Sequence, residues 1–440
     1  MKPLIQFKQI PILLSMLAFL YCGIAPNAPA VVPPPDGGYP GLNTAEGQNA
    51  LMSLTTGEGN TAVGWRSLFS NAEGSFNTAI GVGALLFNTN DNNTAFGAAA
   101  LLFNTTGDNN TAIGASALLN NISGSSNTAN GAGALFNNTT GLSNTANGVG
   151  ALFGNTIGSD NTAIGAEALS SNTTPEGNTA IGSHALGNNT TGDHNTAIGF
   201  FALASNTTGS LNTAIGLDAL ADNTTGNGNI AAGRQALRNN TSGFSNVALG
   251  PFAGDNVTTA DTVICLLSAG ENVSGTTWIE NIFGVTTVSG TTAPVVVSDG
   301  GQLGTVASSE RFKKHIATME KASEAILSLR PVTFHYKMDT KATPQFGLIA
   351  EEVAKVDPAL VLRDKEGKPY SVRYDQVNAM LLNEFLKEHR KNEEQEKTIA
   401  ELKSGMTALA ATVNEQASQI QKVSAQLKAS KPAPHVANNP

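Results

Sequence analysis

The residue types best suited to chemistry in this 440-residue sequence lie in one short run, Ser308-Ser309-Glu310-Arg311-Phe312-Lys313-Lys314-His315-Ile316. A serine hydroxyl is a poor nucleophile until a base accepts its proton, and a lysine can be that base only where desolvation lowers its pKa. Ser–Lys pairs serve as variants of the serine nucleophile on unrelated folds. On one regular helix a serine and a lysine five positions apart would face different ways, so such a pair needs a turn between them. The spacing alone reads as an ordinary solvated helix start, with Ser308 or Ser309 as N-cap and the basic residues on the outer face. His315 and His335 offer no acid–His–nucleophile order. No cluster of His, Cys or carboxylates has metal-ligand spacing, and no carboxylate pair suggests a glycosidase. The chain therefore calls for no cofactor and no metal.

What precedes this run is a repeat. A unit of Asn-Thr-Ala-Ile-Gly, two variable residues, Ala-Leu, two more, then Asn-Thr-Thr-Gly and a short turn recurs thirteen times, with its leading Asn at 43, 60, 77, 93, 110, 127, 144, 161, 178, 195, 212, 229 and 246. Every step is 17 residues except the 16 from Asn77 to Asn93, where the turn Asn88–Asn92 is one residue short. Periods of this size mean stacked coils, a parallel β-solenoid. Asn-Thr-Ala-Ile-Gly reads as a short strand with Thr and Ile on one face and Ala on the other. Ala-Leu opens a second element, either a helical turn or a second strand. Asn-Thr-Thr-Gly is turn chemistry. Leu holds from Leu51 to Leu237 beside freely varying neighbours, which marks an inward position.

Burying one Ile and one Leu per coil falls far short of the entropy of ordering seventeen residues, so no repeat folds alone. Even a stack is thin and built of small residues, and we expect other copies of the chain to cover a second apolar face. One rung per repeat at about 4.8 Å gives a rod of roughly 60 Å. Two adjacent rungs break the pattern, with Asn130 and Asn147 at the Ile position. They read as a hydrogen-bonded or water-facing ladder, or as a polar layer on an oligomer axis that fixes register or holds an ion.

Composition divides the chain. Residues 1–307 carry 5 basic and 17 acidic side chains, and residues 308–440 carry 20 and 17. The acidic repeats offer no electrostatic footprint for nucleic acid. Residues 1–30 read as an export signal, with Lys2 and Lys8, an apolar run from Ile10 to Tyr21 and a small-residue site at Ala28-Pro29-Ala30. That run is too short for a confident membrane span. After processing only Cys265 remains, which excludes an intrachain disulfide. Residues 31–42 are a Pro/Gly linker, 43–261 the repeats, and 262–307 a β-rich neck with strands over 262–267, 277–285 and 293–299. Trp278 belongs in that neck's core. Downstream, Ile399, Met406, Val413, Ile420 and Leu427 fit heptad position a, with Leu402, Leu409, Gln416 and Val423 at d, a coiled coil over 391–430. Residues 431–440 are a frayed tail.

The Asn-Thr-Ala-Ile-Gly repeats resemble the head repeats of trimeric autotransporter adhesins and tail-fibre-like bacterial surface proteins. Four ordered blocks resemble the endosialidase-type intramolecular chaperone that ends phage tailspikes. They are Ser308–Ile316, Arg330-Pro331-Val332-Thr333-Phe334, Phe346-Gly347-Leu348-Ile349-Ala350-Glu351-Glu352-Val353 and Tyr374-Asp375-Gln376-Val377. The first resemblance implies a left-handed parallel β-roll wound as a homotrimer. The second implies a small α/β chaperone domain at 308–390 that assembles a trimer and then cuts itself off. Ser308 would be the nucleophile, Lys313 the general base, and the cut would fall between Ala307 and Ser308. Ser309 stands where family members often carry Asp and could compete with Ser308. This is at most a single-turnover serine peptidase. The combined expectation is a mainly β, trimeric, secreted or cell-surface fibre ending in a coiled-coil helix. A host surface or a polysaccharide is its candidate ligand. No transmembrane anchor is evident, since alternating, aromatic-ended C-terminal strands are absent. The rivals are an ice- or glycan-binding solenoid displaying stacked Thr, and a fibre that never cleaves.

Overall fold

The thirteen Asn-Thr-Ala-Ile-Gly segments and two strands beyond them form a single parallel sheet of fifteen three-residue strands, β1 (Thr44–Glu46) to β15 (Thr277–Ile279), paired strictly in sequence order. The computed structural model describes residues 40–283, 285, 287, 292–298 and 300–430. The expected export signal, most of the linker and the tail lie outside the described residues. The chain divides into two units, residues 1–288 and 289–440.

The first unit is a mainly β solenoid of about fourteen turns. Equivalent residues pair rung upon rung, Thr111 with Thr128 and Ala112 with Ala129. The short step keeps this register, with Thr78 on Thr94, so the missing residue is absorbed in the turn. Alternation puts Ala inward, fully buried from Ala62 to Ala248. Thr and Ile point outward, and Phe96, Ile113, Ile164, Ile181, Ile198 and Ile215 are 37–54 % exposed. Of the Ile and Leu expected to be buried in each coil, only Leu is buried within the single chain. The interior is only wide enough for two alanines, one leucine and two asparagine amides per turn.

Ala-Leu is neither helix nor strand. At Leu135, Leu152, Leu169, Leu186 and Leu203 φ is 52°, left-handed backbone that costs an ordinary residue about 1–2 kcal/mol. In return the side chain is fully buried, worth about 1.5–3 kcal/mol. The Leu152 N–H also donates to Ala168 O of the next rung at 2.9 Å. Burial therefore outweighs strain in each turn. The strand-ending glycine is required for two reasons. Gly165 has φ +134°, and a Cβ there would stand 2.6 Å from the Gly182 carbonyl carbon and oxygen.

Two buried asparagine ladders complete the interior. The Asn127 N–H donates to Asn110 Oδ1 at 3.0 Å, and Asn127 Nδ2 to the Gly141 carbonyl at 2.9 Å. In the second ladder Asn138 Nδ2 donates to Asn121 Oδ1 at 2.7 Å. Each amide closes a turn and satisfies the rung beneath it, so these buried polar groups are all paired. At the far end β14 (Ile264–Leu266) and β15 extend the sheet, and half-buried Trp278 packs on the end of the core. Cys265 takes an inward alanine's place beside Ala248, and burial pushes its thiol pKa up.

The second unit opens with the hairpin β16 (Val296–Val297) and β17 (Leu303–Gly304). A hairpin β18 (Val332–Phe334) and β19 (Gln345–Gly347) follows, then helix α1 (Ala350–Val356). A third hairpin, β20 (Val361–Arg363) with β21 (Pro369–Val372), leads into the 56-residue helix α2 (Tyr374–Ala429). Val353, Leu360, Val361, Val372 and Met380 form its small core. The heptad residues Ile399, Leu402, Met406, Leu409, Val413, Ile420, Val423 and Leu427 are all exposed along α2. Among the described residues no helix is long and apolar enough to cross a membrane.

Candidate functional site

Ser308 and Lys313 meet. Residues Glu310–Phe312 form one 3-10 turn, closed by the Lys313 N–H donating to Glu310 O at 2.9 Å, and Lys313 leaves it in extended conformation. That turn reverses the chain, so Lys313 Nζ lies 3.2 Å from Ser308 Oγ. A regular helix would have separated them. Ser309 makes no side-chain capping bond to the turn, and Lys313 reaches Ser308. Both members of the pair are exposed in the single chain, as are Ala307, Phe312 and Ile316 around them.

The geometry suits proton transfer between a hydroxyl and an amine, since 3.2 Å lies within catalytic hydrogen-bond reach. In water an ammonium holds its proton, and a lysine becomes a base when its surroundings exclude solvent. Any such exclusion here must come from surfaces outside the single chain's own packing.

The remaining blocks interlock behind this segment. Arg330, just before β18, holds Glu352 of α1 through two bonds, Nη2 to Oε1 at 2.5 Å and Nε to Oε2 at 3.1 Å. The pairing pulls the Glu352 carboxyl below its usual range. The Leu348 N–H donates to Tyr374 Oη at 3.0 Å, which ties the strand-to-helix corner to the start of α2. Gly347 must lack a side chain, because a Cβ there would come within 2.7 Å of that phenolic oxygen. Three sequence blocks thus meet at one corner.

Sequence reasoning did not find a second polar knot. Ser323, fully buried, hydrogen-bonds Glu384 of α2 and accepts from Asn383 Nδ2 at 2.7 Å. Lys387 Nζ stands 2.7 Å from Glu384 and 3.4 Å from Ser323. Lys387 first, then Ser323, depresses the Glu384 pKa. These contacts clamp the 3-10 segment Glu320–Ser328 to α2. Nothing in the spacing of 323, 383, 384 and 387 announced it. An apolar groove lined by Ile326, Leu329, Phe346, Tyr374, Val377 and Leu381 contains neither Ser308 nor Lys313. Among the described residues no three metal-ligating side chains cluster.

No curated protein and no solved structure matched this chain. The family model for the chaperone of endosialidase does match it, over residues 308–362, and its first matched residue is Ser308.

Proposed function

We propose that this chain is an exported, homotrimeric surface fibre whose C-terminal domain guides assembly and then severs itself between Ala307 and Ser308. The observation that carries this reading is the 3.2 Å approach of Lys313 to Ser308 at the first residue of the chaperone match. Helix α2, as a coiled coil, gathers three chains and raises their effective concentration, so that the non-local solenoid starts with its neighbours in place. The outward Ile column then finds cover against other copies. An exposed apolar column of that length is unusual on a lone soluble rod.

In the cleavage step Ser308 Oγ attacks the Ala307 carbonyl carbon while neutral Lys313 Nζ takes the hydroxyl proton. As the Ala307–Ser308 C–N bond breaks, the lysine returns that proton to the departing nitrogen, leaving an ester. Water hydrolyses the ester to the Ala307 carboxylate and frees the Ser308 hydroxyl, with its α-amine now the fragment's N-terminus. Solvent exclusion on trimer formation frees the lysine to act, which makes cleavage follow assembly.

The test is expression of the full chain with Ser308→Ala and Lys313→Ala variants. N-terminal sequencing should find a fragment starting at Ser308 in the parent only, and sedimentation should find trimers in all three. A fragment beginning at position 308 released by both variants would remove the dyad.

A further inference from the structure

The outward column of the solenoid face is uncharged from Val63 to Leu249, although acidic side chains outnumber basic ones in the same repeats. Two copies can therefore approach along this face without like-charge repulsion. Its residues are apolar except at two adjacent rungs, where Asn130 and Asn147 stand between Ile113 and Ile164. Both asparagines are exposed, and Asn130 Nδ2 lies 3.4 Å from Asn147 Oδ1. Asn130 Oδ1 and Asn147 Nδ2 make no hydrogen bond among the described residues. Every Asn of the two interior ladders, by contrast, is buried and paired within the turn stack.

We propose that Asn130 and Asn147 form a register-setting polar layer where this column of one copy meets the same column of other copies of this chain. The inference rests on the homo-oligomeric reading above and adds the device that aligns the copies. A primary amide carries both donor and acceptor, so it pairs with its own counterpart and suits a face that meets itself. Helix α2 carries a second exposed apolar seam, Ile399 to Leu427, that also lacks a partner in the single chain. One kind of partner, another copy, covers both.

A register device is needed because the rungs are nearly identical. Sliding one column past another by a rung of about 4.8 Å sets apolar residue against apolar residue everywhere but at two rungs. Only at the asparagines does a slip set a polar group against an apolar one. A two-rung slip sets the amides of one copy against Ile164 and Ile181 and those of the other against Phe96 and Ile113, and buries them unpaired, which disfavours the shifted state by roughly 10- to 100-fold.

Disulfide mapping on the full chain tests this, in a background carrying Cys22→Ser and Cys265→Ala. One chain carries Ile164→Cys and a size-tagged second chain carries Ile198→Cys, two rungs apart. Co-expressed and oxidised, they should give 164–164 and 198–198 dimers, with the 164–198 product at least tenfold rarer. Adding Asn130→Ile and Asn147→Ile to both chains should raise the mixed product about tenfold or more. These are the residues of the neighbouring rungs, and should that pair aggregate, Asn130→Ala with Asn147→Ala carries the same expectation. An unchanged product ratio overturns the proposal. Trimers by sedimentation that never form the 164–164 bond overturn it too while leaving the homo-oligomer standing, whereas a monomeric rod overturns both.

Discussion

Replacing Leu152 by alanine and by glycine separates the two forces that shape each turn. Leu152 is fully buried in the middle of the stack, and its φ is 52°. Truncation to Ala removes the side chain from a column with Leu135 below and Leu169 above, which costs about 2–5 kcal/mol. Going on to Gly loses one more methyl, about 0.8 kcal/mol. It also releases the left-handed strain of about 1–2 kcal/mol. The Gly variant should therefore match or exceed the Ala variant in stability. At an ordinary right-handed position Gly would instead be worse by about 0.5–1 kcal/mol. Urea unfolding would give the two values, and hydrogen exchange at residues 135–169 would localise the damage, since a solenoid loses stability rung by rung. A Gly variant less stable than Ala by 1 kcal/mol or more would refute the left-handed turn, and a Leu152→Ala cost below 1 kcal/mol would refute the inward leucine.

Two further outcomes follow from geometry already described. Gly165→Ala should destabilise by about 2–6 kcal/mol, combining backbone strain with overpacking against the Gly182 carbonyl. Gly150→Ala, where Glu167 and His184 take similar positive φ on the next rungs and the nearest side-chain atom is 3.6 Å away, should cost under about 1 kcal/mol. Thermal melts of the two variants check the contrast. The clamp at Glu384 should loosen in acid. Its folded pKa is depressed from 4.5, so its contribution is complete above that value and fades as pH falls through the lower folded pKa. Protection factors at Glu320–Ser328, with each amide's intrinsic pH-dependent exchange divided out, should fall in acid in the parent and change far less in Glu384→Gln.

The repeat made the solenoid legible, because period 17 and an invariant small-residue pattern admit little else. The asparagines and glycines were legible as turn residues, but their stacking into two interior ladders depends on what sits one rung away. The strand alternation correctly grouped Thr with Ile against Ala, yet the inner face is the alanine one. Alternation alone does not say which face is inner, and the width of a seventeen-residue coil decides for Ala. The positive φ of every inward Leu was hidden for a related reason: leucine avoids that region alone, and only the next rung's carbonyl and the burial make it favourable. In the second unit spacing left Ser308 and Lys313 open between capped helix and dyad. A three-residue turn brings the two together, and a residue count cannot distinguish it from the first turn of a helix.

The exposure of that pair orders the proposed events. Ser308 and Lys313 are both exposed in the single chain, and the proposed scheme needs solvent excluded from them before the step. Phe312 and Ile316, exposed on either side of Lys313, are the surfaces whose covering would dry the site, and a neighbouring copy is the cover available in a trimer. Severing the helper before the columns align would leave rods with nearly degenerate registers and no means of gathering their chains. Coupling the base to the same association that buries the apolar faces makes release conditional on assembly. In the proposed scheme the rod that remains would be held by its stacked ladders and inter-chain columns, neither of which would need the helper once formed.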